Sequence, residues 1–334
     1  MRSVGDALAP LFGAAKAGKG RIRPATRGDH VGVSGSIAPL LEKPRRLLIF
    51  GGKGGVGKTT LATATALGLA RRAPDRPIVV VSIDPAHSLG DSFGQELGGE
   101  LRQIRGYSNL QALELDPSQH WREFKDHWSR GSEVLFGGSN ARTFEPVYDQ
   151  QIAAELGKIQ PTGLDELQAA TSIIDLLDEN SEQVVVVDSA PTGHLIRFLE
   201  SPGLVIDWAK ELMRLLLKYN LASRLKPLSE DLLALSRKAK RLDALLHDAE
   251  TCEVIVVALP EPAVLSETRR LINRLREMKV PVRHVVINRV LGVVSRDPEG
   301  SRKLENAFPE LGFLEIGQRA NPVQGIAALE ELAA

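Results

Sequence analysis

The chain has 334 residues, in which 42 Lys and Arg balance 42 Asp and Glu, and it carries a single cysteine. That length can bury a large core, while zero formal charge gives no global pull toward nucleic acid. One cysteine excludes a disulfide framework and an all-cysteine metal site within one copy. No apolar run reaches membrane-spanning length and the residues after Met1 lack a signal-peptide hydrophobic region, so a cytoplasmic protein is expected.

Residues 1–44 differ from the rest. Up to Arg46 there are nine Lys or Arg against three Asp or Glu, with few large apolar side chains. The composition predicts a basic, disordered extension with a short helix near 4–15. It reads as a solubilising tail, or alternatively as a polybasic contact that would bring the protein peripherally to anionic lipid. Residues 45–334 form the expected folded domain.

Residues 45–50 (RRLLIF) predict a short buried strand, and 59–72, rich in Ala and Leu, predict a helix. Between them Gly51-Gly52-Lys53-Gly54-Gly55-Val56-Gly57-Lys58-Thr59-Thr60 contains G-x-x-x-x-G-K-T. Strand, glycine loop and helix in that order make a phosphate-binding loop. Glycines keep side chains away so that backbone N–H groups can wrap a polyphosphate, with the helix dipole behind them. Lys58 would reach the β- and γ-phosphates, and Thr59 would ligate Mg²⁺. Lys53 is a second lysine in a loop that usually tolerates many residue types.

Residues 77–84 (PIVVVSID) predict a second strand ending in Asp84, at the strand terminus where doubly wound sheets place ligand chemistry. Residues 110–115 predict a third. From 117 to 180 the pattern turns helical, with Trp121, Phe124 and Trp128 on one face as core residues and a Gly-Gly-Ser-Asn loop within 131–146. Residues 183–188 (QVVVVD) predict a fourth strand, whose Asp188 fits the run-then-carboxylate pattern that holds Mg²⁺ after a phosphate loop. Residues 200–249 predict a second helical insertion; with 117–180 it would build a helical subdomain. Between 204 and 217 the Leu and aromatic residues exceed what one helix face needs for its own packing. Trp208, Leu212 and Leu216 are therefore candidate contacts for an apolar client helix, the alternative being that they pack inside the lobe. Strands are further predicted at 251–259, 280–288 and 313–316, and helices at 262–278 and from 323 onward. Asn288, closing its strand, could present a carboxamide to adenine.

Four segments now stand in order: residues 52–60 (GKGGVGKTT), 84–93 (DPAHSLGDSF), 188–194 (DSAPTGH) and 286–289 (VINR). Together they closely resemble the ArsA/Get ATPases, comprising arsenite-pump ATPases and ATPases that target tail-anchored membrane proteins. The likeness runs from about residue 45 to 329. It implies a P-loop α/β fold, a mostly parallel doubly wound sheet flanked by helices, with ATP and Mg²⁺ as cofactors. It implies that Gly52, Lys53, Gly54, Gly55, Val56, Gly57, Lys58, Thr59 and Thr60 bind ATP and that Asn288 reads adenine. By the same resemblance Lys53 acts across a dimer, Thr59 and Asp188 hold Mg²⁺, and Asp84 orients or deprotonates the attacking water. Pro85, His87, Ser88 and Asp91 would lie in a first switch segment, and Pro191, Thr192, Gly193 and His194 in a second.

The departures are informative. Cys252 stands alone where targeting ATPases of the eukaryotic type use C-x-x-C to bridge zinc, so no zinc is expected, and arsenite activation through thiolates lacks its residues. Only three methionines occur, one the initiator, so a methionine-rich client groove is missing. The Ala320-Asn321-Pro322 stretch departs from the family's adenine-side loop. A single phosphate loop means two chains must meet: a nucleotide-promoted homodimer is expected, and a paralogous partner stays open beside it. The leading functional reading is a client-handling ATPase that shields an apolar helix. The alternatives are the catalytic subunit of an anion or metalloid transporter, or a positioning ATPase at membrane or nucleoid; no specific nucleic acid is expected.

Overall fold

The computed structural model describes residues 36–86, 88–115, 164–218, 226–290 and 298–334. The expected helix at 4–15, Trp121, Phe124, Trp128, the 131–146 loop and His87 lie outside them. In chain order the elements are α1 (Ala38–Glu42), β1 (Leu47–Gly52), α2 (Lys58–Arg72), β2 (Ile78–Ser82), α3 (Leu89–Phe93), β3 (Arg102–Gln103) and β4 (Leu110–Glu114). There follow α4 (Leu164–Glu179), β5 (Val184–Asp188), α5 (Thr192–Lys218), α6 (Lys226–Leu246), β6 (Cys252–Ala258), α7 (Pro262–Glu277), β7 (Val282–Val290), α8 (Pro298–Ala307), β8 (Gly312–Gly317) and α9 (Ile326–Ala333).

The strands form one eight-stranded sheet in the order β3-β4-β2-β5-β1-β6-β7-β8, parallel throughout except for the β3–β4 pair at one edge. Strands β1, β2, β5 and β6 are buried at every position, as continuous apolar runs in a sheet covered on both faces should be. Helices α1, α3 and α9 pack with α2, whereas α4, α5 and α6 pack on one another and touch β5, β1 and β6. Right-handed crossovers put these two groups on opposite faces. Among the described residues no helix is long and apolar enough to cross a membrane.

Several boundaries differ from the sequence reading, each for a physical reason. Ile37, Leu40 and Leu41, assigned to the extension, are buried, and α1 packs on α2. A composition averaged over 44 residues diluted this short apolar run beside the folded body. α5 begins at Thr192, not near 200, because the helix runs on through Pro202 and Gly203 instead of starting beside them. Proline removes the N–H that would serve the Phe198 carbonyl. The Ser201 hydroxyl donates to that carbonyl at 2.7 Å, so the buried acceptor keeps a partner. β3 has two exposed residues and carries no hydrophobic signal.

Candidate functional site

The loop between β1 and α2 emerges mid-sheet, flanked by β5 and β6. Gly57 stands just before α2 with φ +97, and a Cβ there would lie 2.3 Å from the Asn288 amide nitrogen, so no other residue fits. Lys58 opens the helix, is buried, and donates from Nζ to the Lys53 carbonyl at 3.2 Å. Burial lowers its pKa below the ordinary 10.5, against the opposing pull of Asp188 and then Asp84. The desolvated ammonium is thus held on the loop by the Lys53 carbonyl, in the field of two carboxylates.

Those carboxylates follow adjacent strands. Ser82, closing β2, is in register with Asp188, closing β5. Asp188 is 0 % exposed; its Oδ2 accepts from Thr59 Oγ1 at 2.8 Å and from Ser82 Oγ at 3.4 Å. The Thr59 hydroxyl also lies 3.2 Å from that of Ser88. Asp188 Oδ1 is buried without a hydrogen-bond partner. Burial pushes the Asp188 pKa up to about 6, with Thr59, Lys58 and Ser82 lowering it and Asp84 adding to the rise. A buried carboxylate oxygen with nothing bonded to it, beside two hydroxyls and an ammonium, is the donor chemistry of a hard divalent cation and a phosphate. Asp84 is half-buried; its backbone N–H donates to Ser82 Oγ at 3.3 Å and its Oδ1 accepts from the Ala86 N–H at 3.1 Å. Ser82 therefore touches both carboxylate positions, a link the sequence reading missed because the residue sat within an apolar run.

The remaining candidates are placed as follows. Lys53 is 46 % exposed, with Nζ 3.7 Å from Glu267 Oε2 on α7. Glu267 also accepts from Thr192 Oγ1 at 3.3 Å. A Cβ on Gly54 would lie 3.8 Å from Pro191, so the start of the 191–194 segment lies beside the loop. Gly193, Pro85 and Asp91 are exposed. His194 is exposed and pairs through Nδ1 with Glu166 Oε1 of α4 at 3.5 Å, apart from the carboxylate cluster.

Asn288 sits where β7 bulges: Ile287 pairs with Glu315 but Val290 with Gly317, and Arg289 takes φ +58. The extra residue turns Asn288 onto the loop, where Nδ2 donates to the Val56 carbonyl at 2.8 Å and Oδ1 accepts from the Arg289 N–H at 2.9 Å. One N–H and one lone pair of the amide remain. Beside it opens a cavity of about 350 Å³ lined by Gly57, Thr60, Asn288, Arg289 and the 318–323 loop. The divergent Ala320-Asn321-Pro322 stretch thus walls the space next to Asn288.

The client contacts require a correction. Trp208 is 8 % exposed and Leu212 and Leu216 are 0 %, because α5 runs against α6 and α4 and turns this face inward. Leu204, 50 % exposed, is the exposed large hydrophobic residue on this helix among the described residues. Leucine density on an amphipathic helix cannot tell a face that waits for a partner from one already served by neighbouring helices.

A phosphate loop at the centre of a parallel sheet, with carboxylates at the ends of two neighbouring strands, defines a P-loop nucleoside triphosphatase. The family profile described as anion-transporting ATPase matches residues 45–310. Similar proteins include ATPase GET3B of Arabidopsis thaliana, 32% identical over 278 residues, covering 76% of this chain and 66% of that protein. ATPase ASNA1 homolog 2 of Paramecium tetraurelia is 30% identical over 272 residues, 77% of this chain and 79% of the relative. ATPase GET3 of Phaeosphaeria nodorum is 26% identical over 294 residues, 82% and 87% of the two chains. The chain belongs to the ArsA family and is an ATPase of that family.

Proposed function

We propose that the protein is a Mg²⁺-dependent ATPase whose nucleotide-driven pairing of two copies handles an apolar helical client. The observation that carries the metal and ATP part is the orphaned Asp188 Oδ1, buried beside the Thr59 hydroxyl and the desolvated Lys58. Thr59 and Asp188 would hold Mg²⁺, which, when bound, would neutralise the negative charge of the phosphates. Lys58 binds and orients the same phosphates, and the dry setting strengthens the attraction between its ammonium and their oxygens. Asp84 takes a proton from the attacking water as the water oxygen bonds to the γ-phosphorus. The bond to the β,γ-bridging oxygen breaks, leaving ADP and phosphate. Asn288 and the adjoining cavity accept the adenine.

Two chains are needed in this reading because Lys53 is half-exposed and lies beside Glu267 rather than over the Asp188 cluster of its own chain. A lysine from the facing copy would complete the phosphate site. The client part rests on the likeness to GET3-named ATPases, and burial of Trp208, Leu212 and Leu216 moves the contact elsewhere on the chain. Among transport readings, thiolate-mediated arsenite sensing is disfavoured, since Cys252 is fully buried and burial drives its thiol well above the ordinary range. The test is sedimentation with a non-hydrolysable ATP analogue and Mg²⁺, then with ADP. ATP-dependent dimers that survive strong zinc chelators are expected; an unchanged monomer in every state overturns the proposal.

A further inference from the structure

Glu114 closes β4, two strands from Asp188, and is a carboxylate inside the sheet layer at 8 % exposure. Its register partner on β2 is Ser82, and the register partner of Ser82 on β5 is Asp188. Three polar residues thus stand side by side across three parallel strands, at the edge where the loops carry the chemistry. Ser82 and Asp188 belong to the cluster around Thr59. Glu114 Oε1 instead accepts the backbone N–H groups of Leu89 and Gly90, each at 3.0 Å. These are the first two residues of α3, and the residue before them is Ser88, whose hydroxyl lies 3.2 Å from that of Thr59.

We infer that Glu114 is a positioning residue for ATP hydrolysis: it anchors the start of α3 to the sheet and thereby fixes the Ser88 hydroxyl against Thr59. A five-residue helix has little hydrogen bonding of its own to hold its first turn. The charged acceptor makes two bonds that tie this turn to a strand end, and charge-assisted bonds are roughly twice as strong as neutral ones. The far end of α3 is tied as well, since Ser92 O accepts from the Gly325 N–H at 2.8 Å. A segment so held can swing only if one tie is released, and the Glu114 tie is the one next to the phosphates. The inference rests on placing Thr59 and Ser88 at the site of hydrolysis.

The test compares Glu114→Ala, Glu114→Gln and Ser88→Ala in the full chain, with amide hydrogen exchange at Leu89 and Gly90 read beside steady-state ATP hydrolysis. Glu114→Ala is expected to lose exchange protection at those amides while β1 and β5 keep theirs. Its kcat should fall roughly 10–100-fold, the scale of an ångström-level misplacement, with KM for ATP little changed. Glu114→Gln, which keeps an acceptor oxygen, should recover most of the rate. Combining Glu114→Ala with Ser88→Ala should cost no more than the worse single change, as expected when one residue acts through the other. Wild-type kcat per folded molecule in Glu114→Ala, or fully additive losses, would overturn the inference. If Glu114→Ala does not fold, intact protection of Leu89 and Gly90 in Glu114→Gln with a rate loss as deep as Ser88→Ala is the overturning result. Exchange is read without turnover, so absence of ATP hydrolysis by the wild-type chain would count against the functional proposal and leave the anchor separately measured.

Discussion

At the scale of single residues, the site trades stability for chemistry at Asp188. Its carboxyl is moved from the ordinary 3.8 to about 6, first by burial. The folded state therefore holds this proton more tightly than the unfolded chain, so the contribution of the group is best below pH ~4 and worsens as pH rises toward 6. Above that it levels off at a cost of up to about 3 kcal/mol for an ionised, buried group. Asp188→Asn should accordingly raise the melting temperature of the nucleotide-free protein at neutral pH and abolish the benefit of added Mg²⁺ and ATP. Calorimetry across pH 4–8 checks both, and an unchanged or lowered melting temperature at pH 7.5 counts against the burial argument. Asp84→Asn should still bind ATP yet lose roughly 10²–10⁴-fold in turnover, the scale of a positioned base; rapid hydrolysis by that variant would remove its role. Asn288 asks for a subtler experiment, because its amide also holds the Val56 carbonyl. Asn288→Ala should weaken both ATP and a triphosphate with a pyrimidine base, and only the excess loss for ATP measures base reading.

At the scale of elements, α5 divides at Pro202 into a half that begins beside the phosphate loop and a half that runs along α6. The Ser201 hydroxyl stands in for the missing proline N–H at Phe198, so Ser201→Ala leaves a buried carbonyl unserved. The expected cost is roughly 1–3 kcal/mol in urea unfolding, with Ser201→Thr recovering part of it. These same residues explain what the sequence could and could not convey. β1, β2, β5 and β6 were legible because a sheet covered on both faces demands unbroken apolar runs, and the phosphate loop because its glycines are dictated by backbone approach. The start of α5 was not, since a proline inside a helix is spelled like one in its first turn. Ser82 and Glu114 were missed for a related reason: each is a polar residue closing a mainly apolar strand, and only register reveals that they line up with Asp188. The inward face of α5 shows the converse error, in which a true periodicity said nothing about which neighbour it serves.

At the scale of the whole molecule, the Lys53 contact bears on assembly. Within one chain Lys53 lies 3.7 Å from Glu267, which also takes the Thr192 hydroxyl, so a lysine reaching toward a second copy must leave a contact shared with Thr192. Lys53→Ala should weaken ATP-dependent pairing more than ATP binding, measured by sedimentation and by nucleotide titration on the same preparation. Another feature concerns α2, which carries the phosphate loop at its start. A Cβ on Gly68, within that helix, would meet Leu41 Cδ1 at 2.6 Å and Ala333 Cβ at 3.2 Å. The first and last helices of the described body therefore converge on one spot of the helix that bears the catalytic loop. Two chain segments that meet in space can be joined covalently: a circular permutant linking residues 36 and 334 through a few glycines, opened in an exposed turn such as the one around Asp75, should fold and keep the nucleotide site. Cleaving α1 away should instead loosen α2 at its middle, so α1 and α9 together act as a buckle on the phosphate loop from behind.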